Sequence, residues 1–109
     1  MKPAELNDAS LAAYLSGSDL PTLVTFHAPW SKPARTMLPV LEEIVESYSG
    51  VVRFSLVDAE VARNSLDRYG ILSLPTYLFV KNGRVRDRFI GVLTRDKLLE
   101  RIEKDLQEL

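Results

Sequence analysis

One ten-residue stretch decides how the rest of the chain is interpreted: Phe26-His27-Ala28-Pro29-Trp30-Ser31-Lys32-Pro33-Ala34-Arg35. The residues that lead into it, Thr22–His27, are β-branched, apolar or aromatic, which predicts a buried strand. The residues that follow it place apolar side chains at three- and four-residue spacing, which predicts an amphipathic helix. These side chains are Met37, Leu38, Leu41, Ile44, Val45 and Tyr48. Pro39 lies inside this helix and is expected to bend its axis.

The rest of the chain continues the alternation of strands and helices. The sequence predicts a short helix capped near Asp8, a strand over residues 51–57, a helix over residues 61–69 that Gly70 ends, strands over residues 76–80 and 85–90, and a last helix capped by Thr94. Asn82-Gly83 separates the last two strands and is the strongest short signal for a hairpin. We therefore expect an α/β protein of one domain, residues 1–109, with a central mixed sheet flanked by helices.

Several residues stand in the order and spacing of a known family. The opening stretch keeps Ala28, Trp30 and Pro33, and Pro39 follows at the family's spacing. Further landmarks follow in register, namely Asp58, Tyr69-Gly70-Ile71, Ser73-Leu74-Pro75-Thr76, Lys81-Asn82-Gly83 and Gly91. From about Leu6 to the C-terminus the chain resembles the thioredoxin family. This resemblance implies the thioredoxin fold, a three-layer α/β/α arrangement, and a cis peptide bond before Pro75.

The resemblance also implies a role for individual positions. Ser31 stands where the family has its nucleophilic cysteine, and Ala34 stands where it has the resolving cysteine. Thr25 stands at a proton-relay position, usually a buried aspartate that moves a proton to or from the second cysteine. Substrate polypeptides are expected to contact Trp30, Pro33, Leu74, Pro75 and Gly91.

The sequence contains no cysteine, so thiol–disulfide exchange is excluded for the chain as written. A serine nucleophile at Ser31 would need a base, and His27 is the single histidine. No triad order surrounds His27, so we interpret Ser31 as the N-cap of the helix and His27 as a packed or half-exposed ring. One histidine without cysteines does not make a metal site, and no cofactor is expected.

Three functional hypotheses are compatible with these residues. In the first, the chain is a thioredoxin-type disulfide oxidoreductase whose two cysteines were replaced by engineering. Its cysteine-containing parent would reduce protein disulfides with electrons from a thioredoxin reductase. In the second, the chain is a natural non-redox relative that binds polypeptides through Trp30 and Pro75, and Thr25 favours this hypothesis. In the third, it is a structural or designed scaffold.

Charge and hydropathy narrow the choice of partners. The formal net charge is −1, which gives no reason to expect nucleic acid. Arg84, Arg86 and Arg88 share one face of the last strand, but Asp87 interrupts them, so they indicate a solvated sheet edge. The longest apolar runs fall far short of the roughly 20 residues that span a bilayer, and the N-terminus lacks the apolar stretch of a signal peptide. We therefore expect a cytoplasmic monomer that does not bind membranes.

Overall fold

The computed structural model describes residues 2–109, and these form five strands and four α-helices. In chain order the elements are β1 (Ala4–Leu6), α1 (Asp8–Ser16), β2 (Thr22–His27), α2 (Lys32–Ile44), β3 (Arg53–Asp58), α3 (Arg63–Tyr69), β4 (Thr76–Lys81), β5 (Arg84–Ile90) and α4 (Arg95–Gln107). A short 3₁₀ turn, Glu46–Tyr48, follows α2.

The strands form one mixed sheet in the order β1-β3-β2-β4-β5. β2 and β3 are parallel, with Thr25 opposite Leu56 and His27 opposite Asp58. β4 runs antiparallel to β2 and places Tyr77 opposite Thr25. β5 forms the far edge through the hairpin with β4. The parallel strands β2 and β3 thus have their C-terminal ends on the same side of the molecule, and there the chain leaves β2 and enters α2.

Helices cover both faces of the sheet, because alternate residues of each strand point to opposite sides. On one face, Leu23 and Phe79 pack with buried side chains of α2 and α4. On the other, Val24 and Leu78 pack with α1 and α3. The three-layer α/β/α thioredoxin fold that the sequence predicted is therefore confirmed.

The hairpin turn and two of the helix ends that the sequence predicted are also confirmed. Asn82 and Gly83 both have positive φ, at 52° and 77°, as a tight hairpin turn requires. Gly70 ends α3 in the left-handed conformation, with φ of 64°. Thr94 caps α4 by accepting a hydrogen bond from the Lys97 amide at 3.2 Å.

Four predicted boundaries are wrong, each for a local reason. The cap of α1 is Asn7 rather than Asp8, and its side chain exchanges hydrogen bonds with Ser10 in a capping box. The second central strand begins at Arg53 instead of residue 51, and α3 begins at Arg63 instead of residue 61. The first long helix was expected to continue to Tyr48, but its last turn tightens into the 3₁₀ turn.

The sheet edge at β5 carries the three arginines. Arg84, Arg86 and Arg88 are all exposed, as predicted for a solvated edge. The prediction that they share one face is wrong, because the register shifts between Phe79 and Val80, so that Arg84 pairs with Lys81 and Arg88 with Leu78 on the opposite face. Arg88 also donates from its guanidinium to the carbonyls of Tyr69 and Gly70 at the C-terminal end of α3. Within residues 2–109, no helix is both long and apolar enough to cross a membrane.

Candidate functional site

The loop between β2 and α2 positions Ser31, and the first turn of α2 carries Ala34. Ser31 is the N-cap of α2, and its hydroxyl accepts a hydrogen bond from the Ala34 amide at 3.3 Å. The Ser31 amide donates to the Ala28 carbonyl at 3.0 Å, which closes the turn before the helix. The Arg35 guanidinium donates to the Pro29 carbonyl at 2.7 Å. The predicted N-cap role of Ser31 is thus confirmed, and the cap and backbone bonds hold the loop.

Burial differs sharply among the residues of this loop. Ser31 retains 6% of its surface and Ala34 retains none, whereas Trp30 is 67% exposed. Pro33 is exposed in the first turn of α2. The indole of Trp30 therefore presents its surface to solvent, while Ser31 and Ala34 face inward.

A second loop carries Leu74, Pro75 and Gly91. The Leu74–Pro75 peptide bond is cis, Leu74 is half-buried and Pro75 is buried. The Gly91 amide donates to the Pro75 carbonyl at 3.0 Å, and the Tyr77 hydroxyl donates to the Gly91 carbonyl at 3.0 Å. The predicted contact residues Pro75 and Gly91 are therefore joined directly by backbone.

An apolar cavity of about 280 Å³ brings two of the predicted contact residues together. Trp30 and Leu74 line it with seven further residues, namely Ala59, Glu60, Arg63, Leu66, Ile71, Leu72 and Ser73. Pro33, Pro75 and Gly91 do not line it. Sequence reasoning did not single out Leu72, which is 98% exposed. The signal that could have found it is an apolar residue in the short loop between the αL glycine that ends α3 and Pro75.

Thr25 lies in the centre of the sheet with 1% of its surface exposed. Its neighbours in register are Leu56 and Tyr77, so no cation stands beside it in the sheet. The Thr25 hydroxyl makes no hydrogen bond to any residue from 2 to 109. A hydroxyl buried without a hydrogen-bond partner lowers the stability of the fold.

His27 is half-buried at the end of β2. Burial lowers the pKa of its imidazole, although Asp58 and Glu5 act in the opposite direction. Burial therefore favours the neutral form of the ring. His27 lines a cleft with Glu5, Asp58 and other residues that include neither Ser31 nor Trp30, which supports the packed-ring interpretation over that of a base for Ser31.

The site contains no side chain with redox chemistry. An alcohol at Ser31 and a methyl group at Ala34 neither form nor open disulfides. Among the described residues, no group of three His, Asp or Glu side chains is arranged to hold a metal ion. What the arrangement offers is an aromatic surface, an apolar cavity and a rigid pair of loops.

Comparison with known proteins finds a family model that covers most of the chain. The family model described as Thioredoxin matches residues 2–104. The chain belongs to the thioredoxin family. The sequence-based resemblance is thereby confirmed over nearly the whole chain.

Relatives within the thioredoxin family come from plants and cyanobacteria. A chloroplastic M-type thioredoxin of Pisum sativum is 37% identical over 99 residues, which cover 91% of this chain and 58% of that protein. A chloroplastic thioredoxin Y2 of Arabidopsis thaliana is 39% identical over 93 residues, covering 85% and 56%. A thioredoxin of Synechocystis sp. is 35% identical over 102 residues, covering 94% and 95%. The chain thus spans little more than half of the plant proteins and nearly all of the cyanobacterial one.

Proposed function

We propose that the chain is one thioredoxin-type domain built for dithiol–disulfide exchange, with Ser31 and Ala34 in place of both thiols. The observation that carries this proposal is the intact surroundings of the two positions. Ser31 caps α2, exposed Trp30 precedes it, and the Pro75–Gly91 pair closes the second loop. As written, the chain is redox-inactive.

The position of Ser31 explains what a cysteine there would do. A thiol at a helix N-terminus meets the positive end of the helix dipole and unpaired amides, which favour its thiolate. That thiolate would attack a disulfide sulfur, form a mixed disulfide and expel one substrate thiolate. A cysteine at position 34 would then attack the mixed disulfide, form the internal disulfide and release the second substrate thiol. Dithiothreitol or a thioredoxin reductase would return the internal disulfide to two thiols.

The test is to put both thiols back. We expect Ser31→Cys/Ala34→Cys to accelerate insulin disulfide reduction by dithiothreitol well above the buffer rate, and the chain as given to match buffer. The single variant Ser31→Cys is the matched control, because it forms the mixed disulfide but has no resolving thiol. A folded double variant that performs no better than the chain as given would contradict the proposal.

Engineering remains the favoured origin of the two residues. Serine preserves the size of the nucleophile, alanine removes the resolver, and the flanking Trp30 and Pro33 are retained. Cysteine codons at positions 31 and 34 of the natural gene would establish engineering, and other codons would establish natural loss. Cytoplasmic placement and the monomeric state stay predictions, since the plant relatives are named chloroplastic.

A second candidate is a natural module that binds polypeptides without redox chemistry. The cavity beside Trp30 favours it, because exposed Trp30 and Leu72 border an apolar recess that is independent of thiols. Buried tryptophan anchors commonly dominate binding energies at interfaces.

Binding to an unfolded polypeptide tests this candidate. Reduced, alkylated insulin B chain should shift the NMR signals of Trp30, Leu72 and Leu74, and Trp30→Ala should weaken binding by about tenfold or more. Val85→Ala is the control, since Val85 is also an exposed apolar residue but lies on β5. Equal Kd values for the Trp30 and Val85 variants, or no shifts at millimolar peptide, would exclude the candidate.

A further inference from the structure

Asp105 is a carboxyl group on the face of α4 that packs against the sheet. It follows Leu98 and Ile102 at four- and three-residue spacing, and all three side chains are buried. Asp105 retains only 5% of its surface. Its Oδ2 is buried and accepts no hydrogen bond from any residue between 2 and 109. A buried carboxylate without partners is strongly disfavoured, so this group needs another means of compensation.

The carboxyl group beside Asp105 is Asp87 of β5, because Asp87 binds Arg101, which lies one helical turn before Asp105 on the same face of α4. The two carboxyl groups act on each other electrostatically. Arg101 binds Asp87 in a forked pair, from Nε to Oδ2 at 2.7 Å and from NH2 to Oδ1 at 2.9 Å. The Arg88 amide donates to Asp87 Oδ1 at 2.8 Å. These three bonds hold Asp87 as an anion and direct Arg101 to it rather than to Asp105.

Two carboxyl groups can hydrogen-bond to each other only when one of them carries a proton. The charged groups that act on Asp105 are Asp87 from β5, and Arg101 and Glu108 from α4 itself. Burial first, and then Asp87, raise the pKa of Asp105 to about 7, with Arg101 acting in the opposite direction. Burial also opposes ionisation of Asp87, but the bonds from Arg101 hold its pKa below the usual value. The proton therefore resides on Asp105.

We propose that protonated Asp105 and ionised Asp87, together with Arg101, form a proton-dependent clamp that fixes the C-terminal half of α4 to β5. When the proton leaves, the buried carboxylate of Asp105 faces the partly buried carboxylate of Asp87, and the one guanidinium of Arg101 is already bound to Asp87. The last turn of α4 relieves this repulsion by moving toward water. The clamp is separate from the proposed function, because it involves neither the loop before α2 nor the cavity at Trp30.

The direction of the pH effect follows from proton counting. In the unfolded chain Asp105 ionises at its ordinary pKa of about 4, whereas in the folded chain it keeps its proton to about pH 7. Between these values the folded state holds more protons, so its stability falls as pH rises. Above that window this contribution is fully lost. Most carboxylates in salt bridges show the opposite pH dependence, because the stability that they contribute is lost as pH falls.

A direct test is carboxyl NMR titration of the chain labelled with ¹³C at aspartate. We expect the Asp105 carboxyl to titrate near neutral pH and the Asp87 carboxyl to stay ionised throughout. The backbone amides after Ile102 should lose protection from hydrogen exchange over the same interval, after correction for the intrinsic pH dependence of exchange. An Asp105 carboxyl that titrates below about pH 5 would overturn the proposal.

A variant isolates the contribution of this proton from that of other groups. Asp105→Asn keeps a donor toward Asp87 but cannot ionise, and Glu103→Gln removes one charge from an exposed site on the same helix. The unfolding constant of the chain as given, divided by that of Asp105→Asn, should rise at least about tenfold from pH 5 to pH 8. The corresponding ratio for Glu103→Gln should stay nearly constant. Equal pH dependence in the chain and in Asp105→Asn would refute the clamp, and the titration above decides the matter even if that variant does not fold.

Discussion

At the start of α2, Ser31 places a hydroxyl group at the N-terminus of the helix, where it serves as the cap. Its oxygen accepts the Ala34 amide, one of the unpaired donors of the first helical turn. This bond stabilises the helix, whereas a thiolate at the same place would be stabilised by it. Because Ser31 retains only 6% of its surface, its hydroxyl contributes to the structure of the loop rather than to attack on a substrate.

We expect Ser31→Ala to lower the free energy of unfolding by about 1 kcal/mol, because the Ala34 amide loses its cap. Thr36→Ala is the control, since Thr36 lies exposed on the same helix and its hydroxyl donates to the Lys32 carbonyl without capping an amide. Urea denaturation of the three proteins measures the difference. A Ser31→Ala variant as stable as the chain itself would show that the cap contributes nothing.

Thr25 lies in a part of the sheet where the adjacent strands offer no charged partner. Leu56 and Tyr77 flank it in register and offer no positive charge. A carboxylate placed at position 25 would therefore be buried without a partner from the adjacent strands, at considerable cost. This neighbourhood suits a small, uncharged side chain.

Among the elements, α3 depends on another helix for its first turn. Its N-cap, Ala62, has no side chain that can accept a hydrogen bond. Asp8 of α1 supplies this bond from a distant part of the sequence, accepting from the Ser65 amide at 2.8 Å, the Ser65 hydroxyl at 2.6 Å and the Asn64 amide at 3.3 Å. The two helices on this face of the sheet are thus joined by a cap as well as by apolar contact.

Asp8→Ala is expected to lower the urea midpoint, because the amides of Asn64 and Ser65 lose their acceptor. The hydroxyl of Ser65, and then the two amides, lower the pKa of Asp8. Its contribution is accordingly present above about pH 4 and lost as pH falls through the lowered value. Asp67→Ala, an exposed aspartate of the same helix α3, is the control. Equal midpoints for the two variants at neutral pH would contradict this role.

For the molecule as a whole, the sequence predicted those parts that depend on local signals. Asn82-Gly83, Gly70 and Thr94 each require a particular backbone geometry, so their residue types alone indicated a turn or a cap. β1 was missed because Ala4–Leu6 is too short for a pattern and exists through its pairing with β3. The resemblance to the family, rather than periodicity, supplied the site positions.

The features that sequence reasoning did not find all depend on residues far apart in the chain. The cavity joins Trp30 to the loop at Leu72, and the clamp joins Asp87 to Asp105. Asp105 occupies a helix position whose spacing predicts an apolar side chain, but spacing alone does not identify the group that faces it. Such contacts follow only from the register of β5 and the packing of α4 upon it.

The single tryptophan of the chain is Trp30, and it lies two-thirds exposed at the rim of the cavity. The fluorescence of this protein therefore originates largely from the place where a partner would bind, and the indole is already in water in the folded state. The emission maximum of Trp30 should change little on unfolding, but it should move to shorter wavelength when a ligand covers the ring. The chain thus carries an optical reporter of occupancy that needs no attached dye, whereas its folding is better followed by circular dichroism.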